Sequence, residues 1–405
     1  MEDQIRTRFL DRTTPPHILT LTLITGLSAL SMNIFLPSLP GMTAYFEADY
    51  RLMQLSIALY LAMNAVLQVL VGPISDRYGR RPVLLVSFAI FVIASLGCVF
   101  APTAEIFLAF RMVQAAVSVG MVLSRAVVRD MVPADKAASM IAYVTMGMAV
   151  VPMLAPMVGG LLDAAFGWQA NFWLLFILGA LVTWLLWHDL GETAARRSGG
   201  LRAQIAEYPE LLTSPRFWGY SAVAMFASGA FFAYLGGAPF VGTEIHHLDP
   251  ARLGLFFGAP ALGYLVGNGV AGRYSARFGI DRMILIGTLV PTTCLIISLL
   301  LHLAGFTHPL IFFGLMIPFG FGNGMVMPNA TSGTLSVRPQ LAGSASGLGG
   351  AMMIGGGAAL SALSGMVLSV ETGPWPLLAL MLTSSFLSVV SILLVMRRAA
   401  RVGAV

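Results

Sequence analysis

The sequence predicts an all-α membrane protein of twelve transmembrane helices in two pseudo-symmetric six-helix bundles, and three observations predict it. The composition is 57% hydrophobic and only 10% charged, whereas a soluble domain carries about a quarter charged residues. Apolar runs of the roughly 20 residues that a bilayer crossing requires recur along all 405 residues with short loops between them. The basic residues gather in alternate loops. Too little polar sequence remains for a sizeable soluble enzyme domain. A disulfide framework is excluded as well, because Cys98 and Cys294 both sit inside apolar runs.

A window of about 19 residues places the helices in order from near His17, Arg51, Pro82, Glu105, Lys136, Trp168, Arg216, Arg252, Arg282, His308, Leu341 and Trp375. The segment before helix 1, MEDQIRTRFLDRTTPP, mixes acids with bases, and helix 1 is too long for the apolar core of a signal peptide, so it is expected to stay as an anchor. Arg6, Arg8 and Arg12 precede helix 1, Arg77, Arg80 and Arg81 follow helix 2, and Arg125, Arg129 and Lys136 follow helix 4. Arg196, Arg197, Arg202 and Arg216 follow helix 6, Arg273, Arg277 and Arg282 follow helix 8, Arg338 follows helix 10, and Arg397, Arg398 and Arg401 close the chain. Of the 23 Lys and Arg residues, 20 therefore share one side, which predicts both termini in the cytoplasm. The net charge of +5 reads as this topology signal and not as a nucleic-acid surface.

An offset of 200 residues aligns Gly72-Pro-Ile-Ser75-Asp76-Arg77-Tyr78-Gly79 with Gly272-Arg-Tyr-Ser275-Ala276-Arg277-Phe278-Gly279. Under the same offset Arg51 falls beside Arg252, and Gln68 falls on Asn268. The chain therefore divides into an N-terminal bundle (1–188), a polar cytoplasmic linker (189–215) and a C-terminal bundle (216–405). Parallel repeats of this kind place a solute site at their interface and work by rocking.

GPISDRYGRRP, Gly72 to Pro82, resembles the loop 2–3 signature of the major facilitator superfamily. The segment from Arg111 through Gln114 to Gly120 resembles its helix 4 motif, and GMAVVPMLAPMVGG, Gly147 to Gly160, resembles the helix 5 motif of its antiporters. More narrowly, FLPSLP (Phe35 to Pro40), SRAVVRDMVP (Ser124 to Pro133) and GWQANFWLL (Gly167 to Leu175) resemble the bicyclomycin/chloramphenicol-resistance branch of drug exporters. The resemblance implies a multi-pass transporter of the bacterial inner membrane, exchanging a drug for a proton by alternating access. No cofactor is expected, and a monomer is the expected state.

The resemblance makes Asp76 a latch that shuts the cytoplasmic side by meeting helix 11 and basic residues near the end of helix 4, here Arg125 or Arg129. Gly72 permits close helix approach, while Arg77, Gly79, Arg80 and Asp130 complete the gating and coupling set. In helix 5, Pro152 and Pro156 each remove a backbone hydrogen bond, and Gly159 and Gly160 lie beyond them, a combination that suits a bend shaping the cavity.

Arg111 is the sharpest single residue. Counted from Ile106, it lies about 8 Å below the outer boundary of the hydrocarbon, where an ionic group reads as functional. In the exporter branch an acid commonly precedes the Leu-Pro pair of helix 1; here that place holds Asn33, about 22 Å above the inner face, at nearly the depth of Arg111. A hydrogen bond between the two is feasible and a neutralising ion pair is not. No Asp or Glu falls at the midplane, so proton coupling would use a rim acid such as Asp130 or Glu244.

A cavity holding one buried Arg and no carboxylate disfavours cationic drugs and tolerates neutral, zwitterionic or anionic solutes. Its candidate walls, in addition to Asn33 and Arg111, are Tyr60, Asn64, Gln68, Gln114, Tyr143, Phe231, Phe232, Tyr234, Tyr264, Asn268, Asn323 and Met352. His246 and His247 form a loop pair that could bind a metal or sense outer pH, although an exposed pair usually does neither. Two functions remain open: a secondary multidrug exporter of small amphiphilic antibiotics, or a carrier of a metabolite or organic anion with Arg111 as its anchor. An enzyme is not expected, since the spans hold no nucleophile–base set and no HExxH spacing.

Overall fold

The computed structural model describes residues 8–131, 140, 144, 151, 154–193, 209–338 and 342–402. Among these, eleven helices are long and apolar enough to cross a membrane, and one shorter apolar helix completes the order. They are α1 (Ile18–Tyr45), α2 (Tyr50–Tyr78), α3 (Arg80–Val99), α4 (Ala104–Met131), α5 (Leu154–Phe166), α6 (Gln169–Asp189), α7 (Pro215–Ile245), α8 (Pro250–Phe278), α9 (Ile280–Leu303), α10 (Pro309–Ser336), α11 (Ala342–Val367) and α12 (Trp375–Val402). Every start but one falls within two residues of its expected place. The remaining start, near Lys136, lies outside the described residues, as do Tyr143, Gly147 and Pro152.

Several helices change pitch where the sequence demands it. Helix α1 tightens into a 3-10 turn at Leu36–Ser38, because Pro37 has no N–H to continue the ladder. Helix α4 does the same at Ala115–Ser118, and α7, which carries Pro239, ends in a π turn at Val241–Ile245.

The repeat read from the sequence is visible in backbone detail. Gly79 and Gly279 adopt the same left-handed geometry, φ 96° and 81°, and their N–H groups reach Ser75 O and Ser275 O at 2.9 and 3.0 Å. Only glycine holds that conformation without strain, so each turns a long helix directly into the next. Asp49 and Asp249 likewise cap α2 and α8, accepting from Arg51 N and Arg252 N, both at 2.8 Å.

The arginine-rich loops converge on one end of the bundle. Arg80 after α2 meets Asp130 at the end of α4, and Arg81 Nε donates to Leu190 O beyond α6 at 2.8 Å. Asp189, which the sequence places at the start of a polar linker, is wholly buried as the last residue of α6. Its carboxylate accepts from Leu10 N (2.7 Å), His17 N (2.9 Å) and the Thr20 hydroxyl (2.6 Å), so it ties the N-terminal segment to α6. Three donors make this burial tolerable.

In the C-terminal half, α8 and α10 pack through two GxxxG steps. A Cβ on Gly263 would lie 1.7 Å from Ile317 O, and one on Gly320 would lie 1.7 Å from Pro260 O. Lipid offers no hydrophobic drive between helices, so backbone approach of this kind supplies the packing. Gly320→Val should therefore abolish a monodisperse gel-filtration peak, while Gly272→Ala, where a Cβ meets nothing within 4 Å, should elute as wild type.

Candidate functional site

Arg111 lies about 10 Å along α4 from its start, and its side chain is wholly buried. Its guanidinium carbon sits 4.4 Å from the ring centroid of Phe35 on α1 and 4.4 Å from that of Tyr60 on α2. The α1 turn at Leu36–Ser38 begins immediately after Phe35, and Phe172 of α6 braces the Phe35 ring at 5.7 Å. Nη1 donates to Ser31 O at 3.3 Å and to Gln114 Oε1, whose own amide donates to Ser95 Oγ at 2.7 Å. None of the ion pairs among the described residues includes Arg111. Its Nε and Nη2, the Tyr60 hydroxyl and Ser31 Oγ are buried without a hydrogen-bond partner.

The arrangement is a cation stabilised by aromatic faces and carbonyl oxygens instead of by a counter-charge. A desolvated cation–π contact contributes about 2 kcal/mol, while burying an ion costs several kcal/mol. The unpaired N–H groups keep donor capacity, and the Tyr60 hydroxyl keeps donor and acceptor capacity.

Asn33, wholly inside the protein, does not hydrogen-bond Arg111. Its amide donates to Ala29 O at 3.4 Å on its own helix and its Oδ1 has no partner, because Phe35 and Ser31, not Asn33, point at the guanidinium. Gln114 is a bridge between Arg111 and α3 and not an open wall.

Other expected wall residues divide. Asn64 and Gln68 pair at 3.1 Å on α2, and a Cβ on Gly350 of α11 would lie 2.7 Å from Gln68 Oε1, so they line the contact between the halves. Asn268 donates to Tyr264 O at 2.9 Å, and Asn323 to Phe319 O at 3.5 Å, within their own helices. Phe231 is half-buried, but Phe232 and Tyr234 belong to the apolar cluster that runs through both halves. Gly357 leaves room for the Phe232 ring, and Tyr234 stacks near Phe257 and Phe312 with its hydroxyl on Phe257 O at 3.3 Å. Met352 packs on Leu211, Phe217 and Ala345. Tyr143 and Pro152 lie outside the described residues.

Among the described residues the ion-pair partner of Asp76 is Arg80, at 2.6 Å, and neither Arg125 nor Arg129, because the Gly79 turn brings the start of α3 beside the last turn of α2. Arg80 also reaches Asp130 at 3.2 Å and Ser75 Oγ, and Arg80 N donates to Glu192 at 2.8 Å. Arg125 Nε donates to Met121 O, Arg129 is exposed, and Arg77 lies over the Tyr78 ring. Gly72 O accepts from Ser75 Oγ at 2.7 Å.

At the arginine-poor end the halves meet in a seam that the sequence reading missed. Gln54 Nε2 donates to Ser361 O (2.8 Å) and Ser364 Oγ (2.6 Å) of α11, and the Tyr50 hydroxyl donates to Gly236 O (3.2 Å) of α7. On the other side of the molecule, a Cβ on Gly160 would lie 2.3 Å from Pro250 O, and one on Gly254 would lie 2.6 Å from Pro156 O. Gly159 seats α5 against Ile34 O of α1. The signal for Gln54 was available: it is polar inside an apolar run, and the 200-residue offset puts it on Gly254, the matching seam position. Phe35 gave no such signal, since it reads as one more apolar residue.

His246 is part-buried at this end, and its pKa is pushed down to about 4 by burial and then by His302, His308 and His247. It stays neutral through the range in which a pH sensor must titrate. Among the described residues no group of three or more His, Cys, Asp or Glu is placed to hold a metal ion.

Comparison with known proteins gives a consistent picture. The model of the Major Facilitator Superfamily matches residues 21–362. The chain is 29% identical over 368 residues to multidrug resistance protein D of Escherichia coli, covering 89% of this chain and 91% of that protein. It is 32% identical over 272 residues to a chloramphenicol resistance protein of Pseudomonas aeruginosa, covering 64% and 62%. The xylose transporter XylE from E. coli, in a partially occluded inward open conformation, superposes with a TM-score of 0.76 at 15% identity over 94% of this chain and 96% of that one.

Removing the buried cation should remove function. Arg111→Ala is expected to abolish transport, and Arg111→Lys to restore it only in part, since an ammonium is compact and cannot spread over both rings while reaching Ser31 and Gln114. Drug accumulation at matched expression checks this, and a fully active Ala variant would make Arg111 a packing residue.

Proposed function

The chain belongs to the Major Facilitator Superfamily, and from that premise we propose that it exports small amphiphilic antibiotics, neutral or zwitterionic and of the chloramphenicol or bicyclomycin kind, by proton antiport and alternating access. Similarity to multidrug and chloramphenicol resistance proteins supports a drug-exporter reading. The observation that carries the finer reading is Arg111: a wholly buried cation with, among the described residues, no carboxylate within ion-pair distance. Its field repels cationic solutes, and its free N–H groups with the Tyr60 hydroxyl suit a polar neutral group or a zwitterion.

Alternating access must part the seam. Opening the arginine-poor end breaks the Gln54 and Tyr50 hydrogen bonds, each worth about 1 kcal/mol, separates the Tyr50 and Phe240 rings, and parts the glycine-mediated contacts at Gly160 and Gly254. For the proton, Asp76 and Asp130 are the acids that share Arg80 with the α2–α3 turn. Protonating either one weakens its hold on Arg80 and so loosens the tie between the α2–α3 turn and the end of α4 within the N-terminal half. The excess of arginines at that end supports a cytoplasmic placement for both termini. A monomer suffices for this cycle.

A second reading, a carrier of organic anions or anionic metabolites, is favoured by the same unpaired guanidinium. The deciding experiment is expression in an efflux-deficient bacterium, measuring accumulation of a neutral and a cationic antibiotic before and after the proton gradient is collapsed. The proposal expects lower accumulation of the neutral drug alone, lost on uncoupling. Lowered accumulation that survives uncoupling would overturn proton exchange, and no effect on any drug would favour the anion carrier.

A further inference from the structure

Beyond the transport route, a groove of about 660 Å³ opens between the start of α7 and the end of α12. Its mouth carries Arg216 from α7 and Arg397, Arg398 and Arg401 from α12, and its lining contains no acidic residue. All four arginines are exposed, and none forms an ion pair among the described residues. Above them the walls turn apolar. Trp218 and Leu394 are exposed there, and the groove runs on to Ala222 and Ser391, about 9–10 Å further along the helix axes. Gly219 shapes the floor, since a Cβ there would lie 2.2 Å from Val395 Cγ2 and push α12 away.

Arginines from two helices converging at one end of a span, with an apolar trough leading from them into the hydrocarbon, match one chemistry. We propose that this groove holds an anionic phospholipid, with its phosphate on Arg397, Arg398, Arg401 and Arg216 and an acyl chain lying along Trp218, Ala222 and Leu394. A free inorganic anion would leave the apolar trough unused, and a zwitterionic lipid would gain little from the excess positive charge of four arginines. Each arginine near an anionic headgroup contributes about 1 kcal/mol, so the cluster selects for net negative charge. The site is separate from Arg111 and does not depend on what the protein exports. A bound lipid would bridge α7 and α12, two helices of the same half, and so steady that half while it moves as a unit.

The test is native mass spectrometry of the purified full-length protein titrated with cardiolipin or phosphatidylglycerol, against phosphatidylcholine of the same acyl chains. Wild type is expected to retain the anionic lipids selectively. The variant R397Q/R398Q/R401Q should lose about tenfold or more in affinity, while R273Q/R277Q, exposed arginines of the α8–α9 turn at the same end, should bind as wild type. Ala222→Phe, which fills the trough and leaves every charge in place, should also weaken retention. Four outcomes would overturn the proposal: unchanged affinity in the triple variant, equal loss in the control pair, equal retention of phosphatidylcholine, or displacement of the lipid by millimolar inorganic phosphate. The readout is lipid mass, so an inactive transporter and an empty groove are told apart.

Discussion

A guanidinium held away from water by two aromatic rings, with no carboxylate among the described residues to neutralise it, is the constraint on which the N-terminal half is built. Phe35, Tyr60 and Arg111 come from three different helices, so α1, α2 and α4 must keep a fixed relation for the charge to be tolerated. The 3-10 turn after Phe35 and the brace of Phe172 serve that relation. Gln114 and Ser95 extend it to α3. Where a carboxylate would cancel the charge, Asn33 turns its amide back to Ala29. The interior around Phe35 and Tyr60 therefore keeps a positive potential.

Within each half the helices interlock, as α8 and α10 do through paired glycines, and such packing resists sliding. Across the arginine-poor seam the halves meet through hydrogen bonds from Gln54 and Tyr50, through the Tyr50 and Phe240 rings 5.0 Å apart, and through backbone touching backbone at Gly160 and Gly254. One apolar cluster runs through both halves, so the seam is packed as well as hydrogen-bonded. The Asp76–Arg80–Asp130 cluster lies wholly within the N-terminal half at the other end.

Most of the architecture was legible because hydropathy and charge report it directly. Each apolar run within the described residues is a helix, and the Ser75–Gly79 and Ser275–Gly279 turns, aligned by a simple offset, share one backbone geometry. Arg111 stood out because an ion at that depth has no trivial explanation. Its surroundings were less legible. Phe35 is indistinguishable in sequence from any lipid-facing Phe, and only the turn at Leu36–Ser38 aims it at the guanidinium. Phe232 and Tyr234 looked like cavity walls, yet Phe232 packs over Gly357 and Tyr234 against Phe257 and Phe312, inside the core. Asp189 looked like linker because its three donors, Leu10, His17 and Thr20, are more than 160 residues away in the chain.

The central claim, that an uncompensated interior cation sets which solutes pass, is tested most directly by placing a carboxylate back at position 33. Export of a neutral antibiotic and of a lipophilic cation is measured for wild type and for Asn33→Asp, at equal expression. The account predicts that wild type exports the neutral compound and not the cation, and that Asn33→Asp gains cation export. Wild-type export of the cation as effective as that of the neutral compound would contradict it.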